Sequence, residues 1–413
     1  MQDFVSCRLS PENWPFALSW LPDGAYMVGG AVRDAILGRG REYVDLDFII
    51  PGDAVKVAKA IAQHYKAGFV LLDAERNIAR VVFPHATADF AQQEGESLIT
   101  DLSRRDFTIN AIAYHPHTHE IIDPLQGCAD ITTGLLRMVS PANLQDDPLR
   151  LMRAYRQAAQ LGFTIEADTQ ATIRTLAAGI SQVAAERVRV EVGYLLANYQ
   201  GTPWLINAFS DGLLSHFFQN ATFNTVQKLA AVDEAAATLT ATWPQLGQEL
   251  QQSIRDTIKT NWLGIAKLAC LVHPQPEIAE SELLELSYSR LEGRAVSTAL
   301  KIVPQLKLHL SIREQYFLFQ ESGAVFAASI VLALAENNSL EAIAPLINRY
   351  LNPDDLVAHP KPLLSGQDIM IALKIPASPK IGQLLTEIAV AQAEAKIVTK
   401  EQAIAYAQQL AKN

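Results

Sequence analysis

The sequence predicts an α+β protein in which a mixed-sheet domain leads a longer, all-helical remainder. Residues 25–140 alternate strand-like and helix-like runs, whereas from Asp147 onward apolar residues recur at helical spacing. At 413 residues the chain is too long for one core, so two or more domains are expected. In order, MVGG reads as a strand running into a turn, AVRDAIL as a short helix and VDLDFII as a strand. AVKVAKAIAQHY follows as a helix, GFVLLD, ARVVFP and TADF as strands, and INAIAYHPHTHEIIDPL as a hairpin. Leu149, Met152, Tyr155 and Ala159 open the helical half. Pro203, Pro244, Pro304, Pro353 and a Pro-rich patch at 360–376 divide it.

Composition narrows the setting. Cys7, Cys128 and Cys270 are odd in number and far apart, which fits a reduced cytoplasmic compartment and argues against structural zinc. No basic-then-apolar leader opens the chain, and no uninterrupted apolar run is long enough to cross a bilayer, so no membrane partner is expected. The net charge of −10 argues weakly against nucleic acid as a partner, because a local basic groove suffices for binding.

The chemistry concentrates in residues 27–50, where Gly29-Gly30 precedes Asp45-Leu46-Asp47. Side chains alternate along a strand, so Asp45 and Asp47 share a face and Leu46 and Phe48 take the other. Two carboxylates so placed suit a pair of Mg²⁺ ions, which prefer oxygen ligands. Glycines without Cβ atoms let backbone N–H groups approach a triphosphate, and a helix N-terminus beyond them favours the same anion. Either half alone reads equally well as a tight turn or an exposed strand end. In this order, with a short helix between and Arg33-Asp34 within it, they resemble the polymerase-β-like nucleotidyltransferase superfamily. The resemblance is to the branch that holds bacterial tRNA nucleotidyltransferases (class II, CCA-adding or CC-adding) and bacterial poly(A) polymerases.

Three further stretches carry the resemblance. DLSRRDFTINAIAY (101–114) is similar to the second family motif, which implies Asp106 and Asn110 on the sugar of the incoming nucleotide, with Arg105 nearby. By its residues alone it is a charged loop with Arg104, Arg105 and Asp106 before an apolar strand. DDPLRLMRAYRQAAQLGF (146–163) resembles the motif that selects the base without a template. There a carboxylate accepts from the exocyclic amine of cytosine or adenine while a guanidinium donates to the ring acceptor. The resemblance makes Asp147 and Arg150 that pair, with Arg153 toward the triphosphate and Arg156 on the same line. Read by itself, Asp147-Pro148 is a helix cap and the three arginines are a solvated helix face. Asp146 stands where the family usually has Glu, which weakens any direct role for it. Asp89, in TADF, corresponds to a third carboxylate close to the metal pair in similar proteins. AAERVRVEVGYLL (184–196) is similar to a bracing helix, with Glu186, Arg187 and Glu191 at ion-pairing spacing.

The resemblance implies a polymerase-β-like catalytic head at 1–140 and a helical neck with the nucleotide-selecting pocket at 141–215. A helical body at 216–300 and a tRNA-binding tail at 301–413 complete the expected organisation. Catalysis falls to Asp45, Asp47 and Asp89, the first two holding two Mg²⁺. Gly29, Gly30, Arg33, Arg105, Asp106, Asn110, Asp147, Arg150, Arg153 and Arg156 bind nucleotide. CTP, and possibly ATP, are the implied substrates, with the acceptor stem and elbow of tRNA as partner.

CCA-adding members carry a flexible loop of about thirty residues before the R-R-D motif, long for a bare loop. Here only 90–103 separates Asp89 from Arg104. Such shortening marks enzymes that add two cytosines and leave adenine to a separate A-adding enzyme, so CC addition is the preferred expectation. Full CCA addition, poly(A) synthesis and a catalytically silent tRNA-binding protein are the alternatives. His115, His117 and His119 are expected at a hairpin tip rather than on a metal. His273 precedes proline, not the aspartate of an HD phosphohydrolase site, so no such activity is expected.

Overall fold

The computed structural model describes residues 9–39, 44–255, 258–306, 309–336 and 339–412; Cys7 lies outside them. The chain divides into two units, residues 1–184 with 211–213, and 185–210 with 214–413.

The first unit is built on a seven-stranded sheet. Its strands are β1 (Tyr26–Val28), β2 (Val44–Ile50), β3 (Gly68–Asp73), β4 (Ile78–Phe83), β5 (Ala86–Gln92), β6 (Ala113–His115) and β7 (Glu120–Ile122), in the order β3-β4-β5-β2-β1-β6-β7. All neighbours are antiparallel except β2 and β5, which run parallel with Asp47 opposite Asp89. Helix α1 (Gly30–Ile36) links β1 to β2, and α2 (Ala54–Tyr65) packs on β3, β4 and β5. The Asp53 carboxylate caps α2 by accepting from the Lys56 N–H at 2.9 Å, and Ala54, Ala58, Ile61 and Ala62 form its buried stripe. One face of the sheet is filled by aromatic rings: Phe48 and Phe90 stack at 5.4 Å, with Trp14 and Phe16 at 5.1 and 5.8 Å from Phe48. The alternation of the D-x-D strand thus works as the sequence implies, with Leu46 and Phe48 buried and the aspartates on the other face.

Helices α3 (Leu98–Leu102), α4 (Gly127–Thr133), α5 (Pro141–Asp146), α6 (Leu149–Leu161) and α7 (Ala167–Leu176) complete this unit. Of the two readings of the α6 arginines, the plain solvated face does not hold. Leu151, Met152, Ala154, Tyr155, Gln157 and Ala158 are all buried, and Arg150, Arg153 and Arg156 are only partly exposed.

The second unit is mostly helical, from α8 (Ala185–Leu196) through α9 (Thr202–Ser210), α10 (Phe223–Thr242), α11 (Pro244–Gln251), α12 (Trp262–Ala269), α13 (Pro276–Glu285) and α14 (Arg290–Ile302) to α15 (Ile312–Ser322), α16 (Phe326–Ala335) and α17 (Leu340–Tyr350). Two short strands, Ser253–Arg255 and Ile258–Asn261, interrupt it as an antiparallel pair that helical periodicity did not foretell. The last three helices, α18 (Gly366–Leu373), α19 (Pro379–Ala393) and α20 (Lys400–Lys412), share a core centred on Ile369, Leu384, Ile388 and Ala403. Ser365 and Asp368 form the capping box at the start of α18. The sequence reading missed one apolar stretch: Ile312–Ala335 is long and apolar enough to cross a membrane, but 61% of its most apolar window is buried within the protein. Gly323, at φ +47°, breaks it into α15 and α16, and it forms core rather than a span.

Phe90 is fully buried within the aromatic layer. Phe90→Ala is expected to destabilise the first unit by about 3–5 kcal/mol, read as a lower urea midpoint in its own unfolding transition.

Candidate active site

β1, α1, β2, β5 and α6 converge on a pocket of about 430 Å³. It is lined by Gly29, Gly30, Arg33, Asp45, Asp47, Asp89, Arg105, Asp106, Asn110, Arg153, Arg156 and Gln157, among others. The backbone at Gly29 turns through φ +72°, and a Cβ there would sit 3.1 Å from Asp47 Oδ2. Glycine is therefore needed for both conformation and close approach.

Three carboxylates meet at the floor. Asp45 accepts from the Thr87 hydroxyl at 2.6 Å, and Asp89 accepts from Arg80 Nε and Nη2 at 2.6 and 2.7 Å. Burial, then the charges of Asp45 and Asp89, push Asp47 up to about 6, although Arg105 and Arg80 oppose the shift. The same carboxylates raise the Arg80 guanidinium, chiefly through its hydrogen bonds to Asp89. An all-oxygen pair in which burial opposes ionisation of Asp47 fits a hard divalent ion. Among the described residues no three His, Cys, Asp or Glu side chains form a ready-made metal cluster. The site suits an ion held by one or two carboxylates and completed by substrate phosphates.

A buried network forms the wall. Asp106 Oδ2 accepts from Arg153 Nε and Nη2 at 2.9 and 2.8 Å, and Oδ1 from the Asn110 amide and the Phe107 N–H, both at 2.9 Å. Burial favours the neutral acid, yet the Arg153 charge and these hydrogen bonds outweigh it and hold Asp106 at about 2. Asn110 also donates to Gln157 Oε1 at 2.9 Å and accepts from Arg33 Nη1 at 2.7 Å. Its amide orientation is thereby fixed. Arg33 donates through Nε to Asp34 at 2.9 Å.

Asp147 and Arg150 are not part of this lining. Asp147 Oδ1 accepts from the Leu149 N–H at 3.3 Å, but the N-cap of α6 is Pro148, with Asp147 one residue ahead of it as the C-cap of α5. Arg150 donates from Nη1 to the carbonyls of Arg104 and Asn143, both at 2.9 Å. Asp146 is exposed. Glu186, Arg187 and Glu191 lie on α8 in the second unit, with Glu191 buried. His117 and His119 lie in the hairpin turn as expected, whereas His115 ends strand β6 opposite Glu120, its Nδ1 accepting from the N–H groups of His117 and Thr118. His273 receives an N–H of Gln275 on Nδ1.

Residues 90–103 are not a single loop. Strand β5 runs to Gln92 and α3 begins at Leu98, which leaves 93–97 as the connection. It is fastened at several points. The Gln93 N–H donates to the Ile50 carbonyl and the Glu94 N–H to Asp101 Oδ2, both at 2.9 Å. The Glu94 carboxylate pairs with Arg104, and Asp101 with Arg105 at 3.3 Å.

Sequence reasoning missed Arg80, Thr87, Asp101, Glu94 and Gln157. The first two follow only from knowing that β4 and β2 flank β5, and Gln157 looked like one more polar residue on an exposed helix.

Residues 25–137 match the poly A polymerase head domain, 162–223 the RNA and SrmB-binding site of polymerase A, and 256–407 tRNA nucleotidyltransferase domain 2. A CC-adding tRNA nucleotidyltransferase of Synechocystis is 48% identical over 97% of both chains. A protein of the same description from Geobacter sulfurreducens is 31% identical over 93% of this chain and 91% of its own. The fold matches a tRNA-bound Thermotoga maritima CCA-adding enzyme with a TM-score of 0.70 at 22% identity, over 93% of this chain and 90% of that one. The mixed-sheet head, the carboxylate floor and the full-length similarity agree: the chain belongs to the tRNA nucleotidyltransferase family.

Proposed function

We propose that this protein adds CMP, without a template, to the 3′ end of tRNA, that it stops after two cytosines, and that it works in the cytoplasm. The observation that carries the reading is the Asp45–Asp47 pair facing a pocket walled by Asp106, Asn110 and Arg153. The stop after CC is supported by the fastened connection at 93–97 and by the two CC-adding relatives. A separate enzyme would then supply the terminal adenine.

The tRNA 3′-oxygen attacks the α-phosphorus of CTP in line, its hydroxyl proton passes to solvent, a new P–O bond forms, the α–β bridging P–O bond breaks, and pyrophosphate leaves. Asp45 and Asp47 would hold Mg²⁺, which supplies Lewis acidity to the attacking hydroxyl and to the departing phosphate charge. Gly29, Gly30 and Arg33 cradle the triphosphate, while Asp106 and Asn110 orient the sugar. Arg153 holds Asp106 from one side, and Arg156 faces the same pocket. Asp89, with both oxygens on Arg80, orders the carboxylate floor rather than taking the proton. Asp147 and Arg150 choose the base. Selecting cytosine requires Arg150 to leave the Arg104 and Asn143 carbonyls, so base choice is coupled to the R-R-D segment.

The first experiment incubates a tRNA transcript lacking CCA with CTP, ATP or both, read by 3′-end sequencing. Two cytosines and no adenine are expected in every tube that contains CTP; a complete CCA end would overturn the stop after CC. Asp45→Asn and Asp47→Asn should each lower incorporation by about 10³-fold or more, the scale on which transition-state electrostatics is felt, with tRNA retention on filters nearly intact. Arg150→Ala should relax the preference for CTP over UTP more than it lowers total turnover. An equal loss with every nucleotide would make Arg150 a strut and nothing else.

A further inference from the structure

The hydrogen-bond capacity of the pocket wall is almost entirely used within the protein. Asp106 is 6% exposed and held at about 2, so at neutral pH it is ionised and only accepts. An ionised carboxylate has about four acceptor sites. Here Oδ1 takes the Phe107 N–H and one amide hydrogen of Asn110, both at 2.9 Å. Oδ2 takes Arg153 Nε and Nη2 at 2.9 and 2.8 Å, with Gln157 Nε2 beyond them at 3.4 Å. Asp106 has no site left for a hydroxyl of a bound nucleotide, and it acts on the sugar through Asn110.

Asn110 is the member with capacity to spare. Its two amide hydrogens go to Asp106 Oδ1 and Gln157 Oε1, each at 2.9 Å. Its side-chain oxygen accepts from Arg33 Nη1 at 2.7 Å, which leaves one lone pair unused among the described residues. Asn110 lines the pocket, so at this point the wall offers a nucleotide an acceptor and no amide donor. The complement of such a surface is a sugar hydroxyl.

Gln157 is what makes the surface one-sided. Asp106 and Arg33 account for one hydrogen and the oxygen of Asn110, and the second hydrogen depends on Gln157 Oε1. Gln157 is 3% exposed, and its own amide is oriented by the donation of Nε2 to Asp106. Without Oε1 a buried N–H of Asn110 would lack a partner, a costly state that rotation of the amide toward the pocket relieves. A rotated amide shows the substrate a donor as well as an acceptor, and the preference for a hydroxyl is lost.

We propose that Gln157 is a positioning residue for sugar discrimination, which fixes the Asn110 side-chain oxygen as the acceptor that reads a hydroxyl of the incoming ribonucleotide. The proposal rests on the reading that Asp106 and Asn110 face the sugar, and it does not depend on transfer to tRNA.

The test measures binding by calorimetry, on the full chain with Mg²⁺ and without tRNA, for CTP, 2′-deoxy-CTP, 3′-deoxy-CTP and UTP. CTP is expected to bind about tenfold tighter than one of the two deoxy analogues, the worth of one buried hydrogen bond. That analogue identifies the hydroxyl that is read. In Gln157→Met, which keeps the length of the side chain, the gap should close to about twofold or less while the ratio of CTP to UTP is unchanged. Gln157→Leu removes the same acceptor with a different shape and should do likewise, with thermal melting as the check on folding. A wild-type chain that binds CTP and both analogues alike would overturn the placing of the sugar on this wall, and the proposal with it. A wild-type gap that persists in a folded variant, as it would if every nucleotide were weakened equally, would overturn the role of Gln157 alone.

Discussion

The parallel pairing of β2 and β5 is the constraint on which the catalytic floor depends. It sets Asp47 beside Asp89, while the pleat keeps Asp45 on the same face. Burial and the neighbouring charges of Asp45 and Asp89 together raise the Asp47 carboxylate. The surrounding residues are arranged to tolerate the crowding. Arg80 reaches Asp89 with two hydrogen bonds, Thr87 donates to Asp45, and Arg105 opposes the shift on Asp47. What the protein leaves uncompensated is the middle carboxylate, and that deficit gives the floor its appetite for a cation. Gly29 belongs to the same arrangement, because any side chain there would crowd Asp47.

The wall depends on a different balance. Asp106 is almost fully buried, but it receives four hydrogen bonds within 2.9 Å, two from Arg153 and one each from Asn110 and the Phe107 N–H. Those bonds and the Arg153 charge reverse the penalty of burial and lower its pKa to about 2. A carboxylate held below its unfolded value stabilises the fold above that unfolded value, about pH 4, and this contribution is lost as pH falls toward 2. At neutral pH Asp106 is therefore a fixed acceptor. Because Arg153 and Gln157 both lie on α6, the network also locks the helix that follows the sheet to the R-R-D segment. Breaking it by removing Arg153 alone would leave a buried charge exposed to its own desolvation cost, which is worse than never having had the pair.

Much of this was legible from residue order because it is local. The period of two in VDLDFII fixes which side chains face together, and the stripe of Ala54, Ala58, Ile61 and Ala62 identifies its helix outright. Asp106 and Asn110 were recognisable by resemblance to a family motif, and the structure brings them onto one pocket wall. What was not legible depends on pairing across the chain. Arg80 reaches Asp89 only because β4 and β5 are antiparallel neighbours, a register no composition rule supplies. Gln157 was hidden by its own polarity: on a helix assumed half-solvated it belongs outside, whereas α6 is buried on most sides and the amide serves Asn110. The strand pair at 253–261 escaped for the opposite reason, being too short to show a period at all.

The fastened connection at 93–97 joins both balances. A lever that reshapes a pocket must have an end free to move, and here each end is held. Gln93 continues the sheet through the Ile50 carbonyl, and Glu94 is tied by its N–H to Asp101 and by its carboxylate to Arg104. Asp101 then holds Arg105, whose guanidinium lies within 3.8 Å of the Cβ position at Gly29. Arg104 in turn presents the carbonyl on which Arg150 rests. A shift of the connection would disturb the charge balance over Asp47 and the seat of Arg150 at once. Movement is therefore opposed at the point where a change of nucleotide would require it. A connection fastened in this way supports the proposed stop after the second cytosine.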